Sequence, residues 1–135
     1  MSQHAKGPFD VKLNPQPLAL EDDGEGATRA RLSIDKRYHG DLDAGSKGEM
    51  LSAMTGTQGS AGYVAIEKVT GTLGGRSGTF VLQHHATMTR GTPQLEIVVV
   101  PDSGSGELAG LTGSMNIVIA EGGKHFYEFE YDLGG

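Results

Sequence analysis

The chain has 135 residues, no cysteine, and 17 acidic against 11 basic side chains, for a net charge of −6. That length suits a single domain over 1–135 with a core of its own, and the lack of thiols excludes disulfide frameworks, cysteine nucleophiles, iron–sulfur clusters and cysteine zinc sites. Scattered basic residues in an acidic chain argue against nucleic-acid and membrane partners, and with no apolar leader and no membrane-length apolar run the expected location is the cytoplasm.

Glycine supplies 22 residues, placed as punctuation between runs rich in Val, Ile, Thr, Tyr and Phe. None of these runs keeps a 3.6-residue apolar period, so the prediction is all-β, with eight strands at 5–13, 28–39, 47–55, 62–73, 78–89, 94–100, 113–120 and 125–133. After the first strand, 14–26 carries two prolines and a cluster of acidic residues. It reads as a loop or as a lid over one barrel end. In the second strand Ala30, Leu32 and Ile34 share one face and Arg29, Arg31, Ser33 and Asp35 the other. The basic residues Arg29, Arg31, Lys36 and Arg37 are read together as a solvated strand face. In the last strand Tyr127, Phe129, Tyr131 and Leu133 oppose Glu128, Glu130 and Asp132. One apolar and one wet face on each strand, with no helices to cover the sheet, predicts a single closed antiparallel barrel of eight strands, with a two-sheet sandwich as the alternative.

The turns repeat. Gly71-Thr72-Leu73-Gly74-Gly75-Arg76-Ser77-Gly78 and Gly106-Glu107-Leu108-Ala109-Gly110-Leu111-Thr112-Gly113 share the pattern Gly-x-Leu-x-Gly-x-x-Gly, and Gly40-Asp41-Leu42-Asp43-Ala44-Gly45 is a looser third copy. Each is read as a hairpin connection with glycines at positive φ and a leucine plugging a barrel end. The glycines around Gly104 to Gly110 do not have dinucleotide-loop spacing, and a strand rather than a helix follows them.

The runs from Tyr63 to His84 and from Val100 to Gly113 resemble a bacterial family known only as a domain of unknown function (family 3224). The likeness extends from Ala5-Lys6-Gly7-Pro8-Phe9 to Tyr127-Glu128-Phe129-Glu130-Tyr131-Asp132-Leu133. It implies an allene oxide cyclase-like barrel and carries no established reaction, so the likeness to a cyclase bears on fold more than on chemistry.

Candidate chemistry follows from residue type. No Gly-x-Ser-x-Gly elbow is present, which argues against serine-hydrolase chemistry. Of the histidines His4, His39, His84, His85 and His125, the adjacent pair His84 and His85 must point to opposite faces of a strand, and there is no His-x-His, so neither a metal nor another cofactor is expected. Acid–base work needs a carboxylate or imidazole in a pocket that tunes it. Glu67 is the leading carboxylate, facing inward if it goes with Tyr63, Ala65 and Val69, outward if Val64, Ile66 and Lys68 line the lumen. His84 shares a face with Phe80, Leu82, Ala86 and Met88, and a turn centred on Gly74 and Gly75 sets Glu67 opposite Leu82, a diagonal step from His84. Glu67 and His84 are therefore the catalytic candidates. Tyr63, Glu49, Met50, Met88, Tyr127 and Tyr131 are the candidate ligand-binding residues, with Glu49 open to reading as an exposed strand charge. The expected function is binding of a small apolar or aromatic molecule in the lumen. Alternatives are a cofactor-free isomerase, cyclase or lyase using a lumen Glu or His, or a self-associating structural protein with a filled barrel. The expected assembly is a homodimer.

Overall fold

A computed structural model describes residues 2–134. Eight antiparallel strands close into one barrel: β1 Gln3–Gln16, β2 Thr28–Tyr38, β3 Leu42–Met54, β4 Ala61–Leu73, β5 Arg76–Thr89, β6 Thr92–Val99, β7 Thr112–Ile119 and β8 His125–Asp132. Each strand pairs with its neighbour in sequence, and β8 returns to β1 through Gln3 opposite Tyr131 and Phe9 opposite His125. Closure removes both sheet edges and hides the apolar face inside, as the one-sided alternation requires. Among the described residues no helix is long and apolar enough to cross a membrane.

The hairpins fix the register. Leu73 faces Arg76 across the two-residue turn Gly74-Gly75, whose φ values of 56° and 86° give the positive-φ pair that matches strand twist. Counting back from that turn sets Glu67 opposite Leu82 and Ala65 opposite His84, the register read from the sequence.

One of the three glycine motifs differs from a tight hairpin turn. Gly40, at φ 92°, turns the chain from β2 into antiparallel β3, and Leu42 just after it is fully buried, as the hairpin reading expects. Gly45 and Gly48 are extended strand residues, and at Gly48 a Cβ would lie 2.0 Å from the Ile66 carbonyl oxygen, so β3 approaches β4 there only because the residue has no side chain. The second complete motif belongs to a long connection between the antiparallel neighbours β6 and β7. β6 and β7 share only the pairs Ile97 with Met115 and Val98 with Ser114, and residues 100–108 run beside the lower part of β5 instead. Val100 N–H donates to Val81 O (2.9 Å) and Ser105 N–H to Thr79 O (2.8 Å). A 3-10 turn, Gly106–Leu108, then folds under the barrel and buries Leu108 and Leu111. The leucine plugs the end as expected, though from a long loop and not a tight turn.

The interior is divided lengthwise. At the end where β8 finishes, Tyr38, Leu73, Phe80, Leu108, Phe129 and Tyr131 form a filled core, with Phe80 stacked on Phe129 (5.8 Å between centroids) and Phe129 on Tyr131 (5.3 Å). At the other end the strands carry smaller or more flexible inward residues, and the barrel is open.

The loop after β1 does not cover that opening. Arg31 donates to Pro17 O (3.1 Å), and Arg29 donates to Leu20 O (3.3 Å) and Glu21 O (3.0 Å) while pairing with Asp22. These arginines fasten the loop outside the wall. Among the described residues none from 17–27 lines the cavity.

Candidate functional site

The open half is a cup of about 520 Å³ walled by Val11, Leu32, Ile34, Met50, Ile117 and their apolar neighbours. Its floor is polar. Lys36, Tyr63 and His84 reach the cup there, and just beneath them the Glu67 side chain is fully buried.

Four consecutive strands supply this floor. β2 contributes Lys36 and Tyr38, β3 Ser46, β4 Tyr63 and Glu67, and β5 His84. Lys36 pairs directly with Ser46 across β2 and β3, and Gly48 lies opposite Glu67. The stagger of strands around a tilted barrel brings these positions to one height.

Glu67 collects four donors. Oε1 accepts from Tyr38 OH (2.5 Å) and Ser46 OH (2.7 Å), and Oε2 accepts from Lys36 Nζ (2.8 Å) and contacts His84 Nε2 at 2.5 Å. Burial pushes the carboxyl up, but the His84 hydrogen bond and the Lys36 charge outweigh it, and the pKa falls from 4.5 to about 2. An ionised carboxylate only accepts, so Nε2 of His84 must carry the hydrogen. That orientation turns Nδ1 away from Glu67, and Tyr63 OH lies 3.4 Å from it. The Tyr38 phenol is held well above its ordinary value by burial and by the Glu67 charge, and the Tyr63 phenol is raised for the same two reasons. The Lys36 ammonium also lies 5.1 Å from the Phe9 ring centroid, within cation–π range. Among the described residues no buried side-chain N or O lacks a hydrogen-bond partner.

The residues proposed from the sequence separate into three places. Tyr63, Met50, Met88 and His84 line the cup. Glu67 faces inward, on the face of Ala65 and Val69, and bonds His84; it lies under the floor, with no surface toward the cup. The others are elsewhere. Glu49 points out of the barrel, as strand alternation demands of a residue between inward Gly48 and Met50, and pairs with Arg31 at 2.6 Å. Tyr127 and Tyr131 belong to the filled end: Tyr127 OH donates to His39 O (2.7 Å) and accepts from Leu42 N–H (2.8 Å), and Tyr131 OH donates to Gln3 Oε1 (3.3 Å). Lys36 corrects the solvated-face reading, since it is only 7% exposed and points inward. The signal was present, because Lys36 and Tyr38 continue the parity of Leu32 and Ile34. Ser46 lay outside the expected strand altogether.

Fold and site define a small closed antiparallel barrel with an apolar cup at one end, set over a buried Lys–Glu–His cluster. The chain belongs to the family described as Protein of unknown function (DUF3224), which it matches over residues 5–131. It is similar to a protein of unknown function of that family from Shewanella oneidensis MR-1, known as a crystal structure, at 50% identity and a TM-score of 0.93, with 100% of this chain and 99% of that one covered. No curated protein matches it.

Proposed function

We propose that the barrel is a receptacle for a small, mostly apolar molecule, held by the cup wall and anchored at one polar end by the floor. The observation that carries this reading is the cup itself: about 520 Å³ of apolar-walled space closing on one polar cluster. Small-molecule sites commonly measure about 300–1,000 Å³ and combine apolar walls with a few placed polar groups. A filled barrel, the requirement of the purely structural alternative, is found in only one half of the interior.

The floor favours an accepting oxygen on the ligand. Glu67 already serves four donors, which leaves it no lone pair to offer. Lys36 has a further N–H and Tyr63 a hydroxyl at the cup surface, both able to donate. A ligand ammonium would meet the Lys36 charge instead.

A homologous series of straight-chain ketones or carboxylic acids, measured by calorimetry and thermal shift, tests the reading. Each added methylene removes about 0.8 kcal/mol of apolar surface from water, so affinity should climb about fourfold per carbon and level off when the cup is full. Ala86 lines the wall on the same β5 face as His84, and Ala86→Trp should lower affinity at least about tenfold without unfolding the barrel. Affinity independent of chain length, or unchanged in the filled variant, would show that the ligands bind elsewhere.

A further inference from the structure

We infer that the floor is a proton-transfer site for an enolisable carbonyl compound with an apolar tail, in which His84 is the base and Lys36 binds the carbonyl oxygen. The inference rests on the receptacle reading above and adds a reaction to it.

Three features carry it. The first is orientation. Glu67 takes the Nε2 hydrogen of His84 at 2.5 Å, which leaves Nδ1 as the nitrogen with a lone pair on the edge of the ring away from the carboxylate. Tyr63 OH approaches that nitrogen only to 3.4 Å, a loose contact that an incoming substrate can displace. A base held in one tautomer by a buried carboxylate, with its second nitrogen toward the substrate space, is the arrangement general-base catalysis requires.

The second is the position of the cation. Lys36 Nζ and His84 Nε2 contact the same oxygen, Glu67 Oε2, so ammonium and imidazole stand side by side at the bottom of the cup. A carbonyl oxygen seated on the ammonium brings its α-carbon toward the imidazole edge. Negative charge developing on that oxygen is then met by a fixed, largely buried cation, where such stabilisation is strongest.

The third is the surrounding wall. It is mostly apolar, with Ser52, Thr87, Gln94 and His125 as its polar members outside the floor, so most of the substrate's remaining surface is hydrocarbon. Glu67 does not touch substrate and is a positioning residue, and its carboxylate balances the Lys36 charge before substrate arrives.

The step balances without a co-reactant. Nδ1 takes a proton from the α-carbon, and the C–H electron pair becomes the C=C bond of an enolate whose oxygen charge faces Lys36. The imidazolium returns a proton to the same carbon, or to the γ-carbon when the substrate is a β,γ-unsaturated ketone. The first outcome is hydrogen exchange, because the Nδ1 proton swaps with solvent before it is returned, and the second is a double-bond shift.

The test uses the whole protein with 2-octanone and longer methyl ketones in D2O, following loss of the α-proton signals by NMR and binding by calorimetry on the same samples. The expected result is exchange at least about 100-fold above buffer, saturating with ketone at the concentration range seen in calorimetry. His84→Gln keeps an N–H for Glu67 but has no basic nitrogen, and it should still bind ketone while losing the exchange. On the unaltered protein, 2-naphthol, a flat mimic of the enolate, should suppress exchange competitively, which keeps the proposal testable if His84→Gln fails to fold. Ketones that bind without exchange above buffer overturn the proton-transfer proposal and leave the receptacle standing, as does exchange that survives in a folded His84→Gln. Failure of the entire ketone series to bind overturns both.

Discussion

Replacing Glu67 with glutamine tests the account of the floor most directly. The amide keeps the shape and loses the charge. Whichever way it is turned, one pair of donors faces an NH2 group: Lys36 and His84 on one side, or Tyr38 and Ser46 on the other. The Lys36 ammonium is left buried without a counter-charge in either case, a situation that costs about 3–5 kcal/mol. The carboxyl's own titration gives a second figure. The gap between 4.5 and about 2, at about 1.36 kcal/mol per pH unit, is about 3 kcal/mol. Because the folded pKa lies below the unfolded one, this contribution is fully present above pH 4.5 and is lost as pH falls toward 2. Glu67→Gln should therefore melt about 10 °C below the parent at pH 7, since about 1 kcal/mol moves the midpoint of a domain this size by 3–4 °C. Between pH 4.5 and 2 the two melting curves should converge, as the parent carboxyl takes up a proton and comes to resemble the amide. Urea or thermal denaturation across that range is the assay. A loss under about 1 kcal/mol at pH 7, or a difference that stays constant down to pH 2, would refute the view that an ionised Glu67 organises the site.

Two further substitutions probe the frame that holds the floor. Tyr127→Phe removes the hydroxyl that accepts from Leu42 N–H and donates to His39 O at the β2–β3 turn. It leaves a buried N–H unpaired and should cost about 1–3 kcal/mol in chemical denaturation, with ligand affinity unaltered because the cup is at the opposite end. Gly48→Ala places a methyl group 2.0 Å from Ile66 O and 2.9 Å from Glu67 Cβ. It should push β3 from β4 beside the carboxylate, destabilise the protein by about 2–4 kcal/mol as an overpacked site does, and weaken binding at the floor as well.

Sequence reasoning went furthest where the signal was local. The glycine pair at 74 and 75 determines its own turn type, and counting outward from it sets Glu67 against Leu82 and within reach of His84, the pairing found in the barrel. Strand parity placed Tyr127, Phe129 and Tyr131 inside, though not at which end of the barrel. The facing of Glu67 was not legible in β4, because both faces of that strand are apolar: Val64 and Ile66 sit on the outside at 52% and 49% exposure. What decides it is a set of partners from β2, β3 and β5, and sequence spacing within β4 says nothing of them. Lys36 was misplaced for the opposite reason. Its basic neighbours Arg29, Arg31 and Arg37 are all outward, and charge type was weighed above the alternation that groups it with Ile34 and Tyr38. Glycine misled once as well, since Gly45, read as part of a turn motif, is a residue of β3.

The cluster stands where the filled and open halves of the barrel meet. An eight-stranded barrel has little more interior than side chains can fill, and here aromatic residues fill one half while small residues such as Ala53, Ala61 and Ala86 line the other. A charged pair at that boundary is not needed for stability, because apolar residues of similar volume generally serve as well as a buried ion pair. Three of its features are unnecessary for packing: Lys36 lines the cup, His84 lines it beside Lys36, and Glu67 is withdrawn below both with every lone pair engaged. Packing alone would not direct the two nitrogen groups to the cavity and hide the carboxylate. An oxygen-bearing ligand entering from the apolar side would make use of just that division, finding donors at the surface and their counter-charge beneath it.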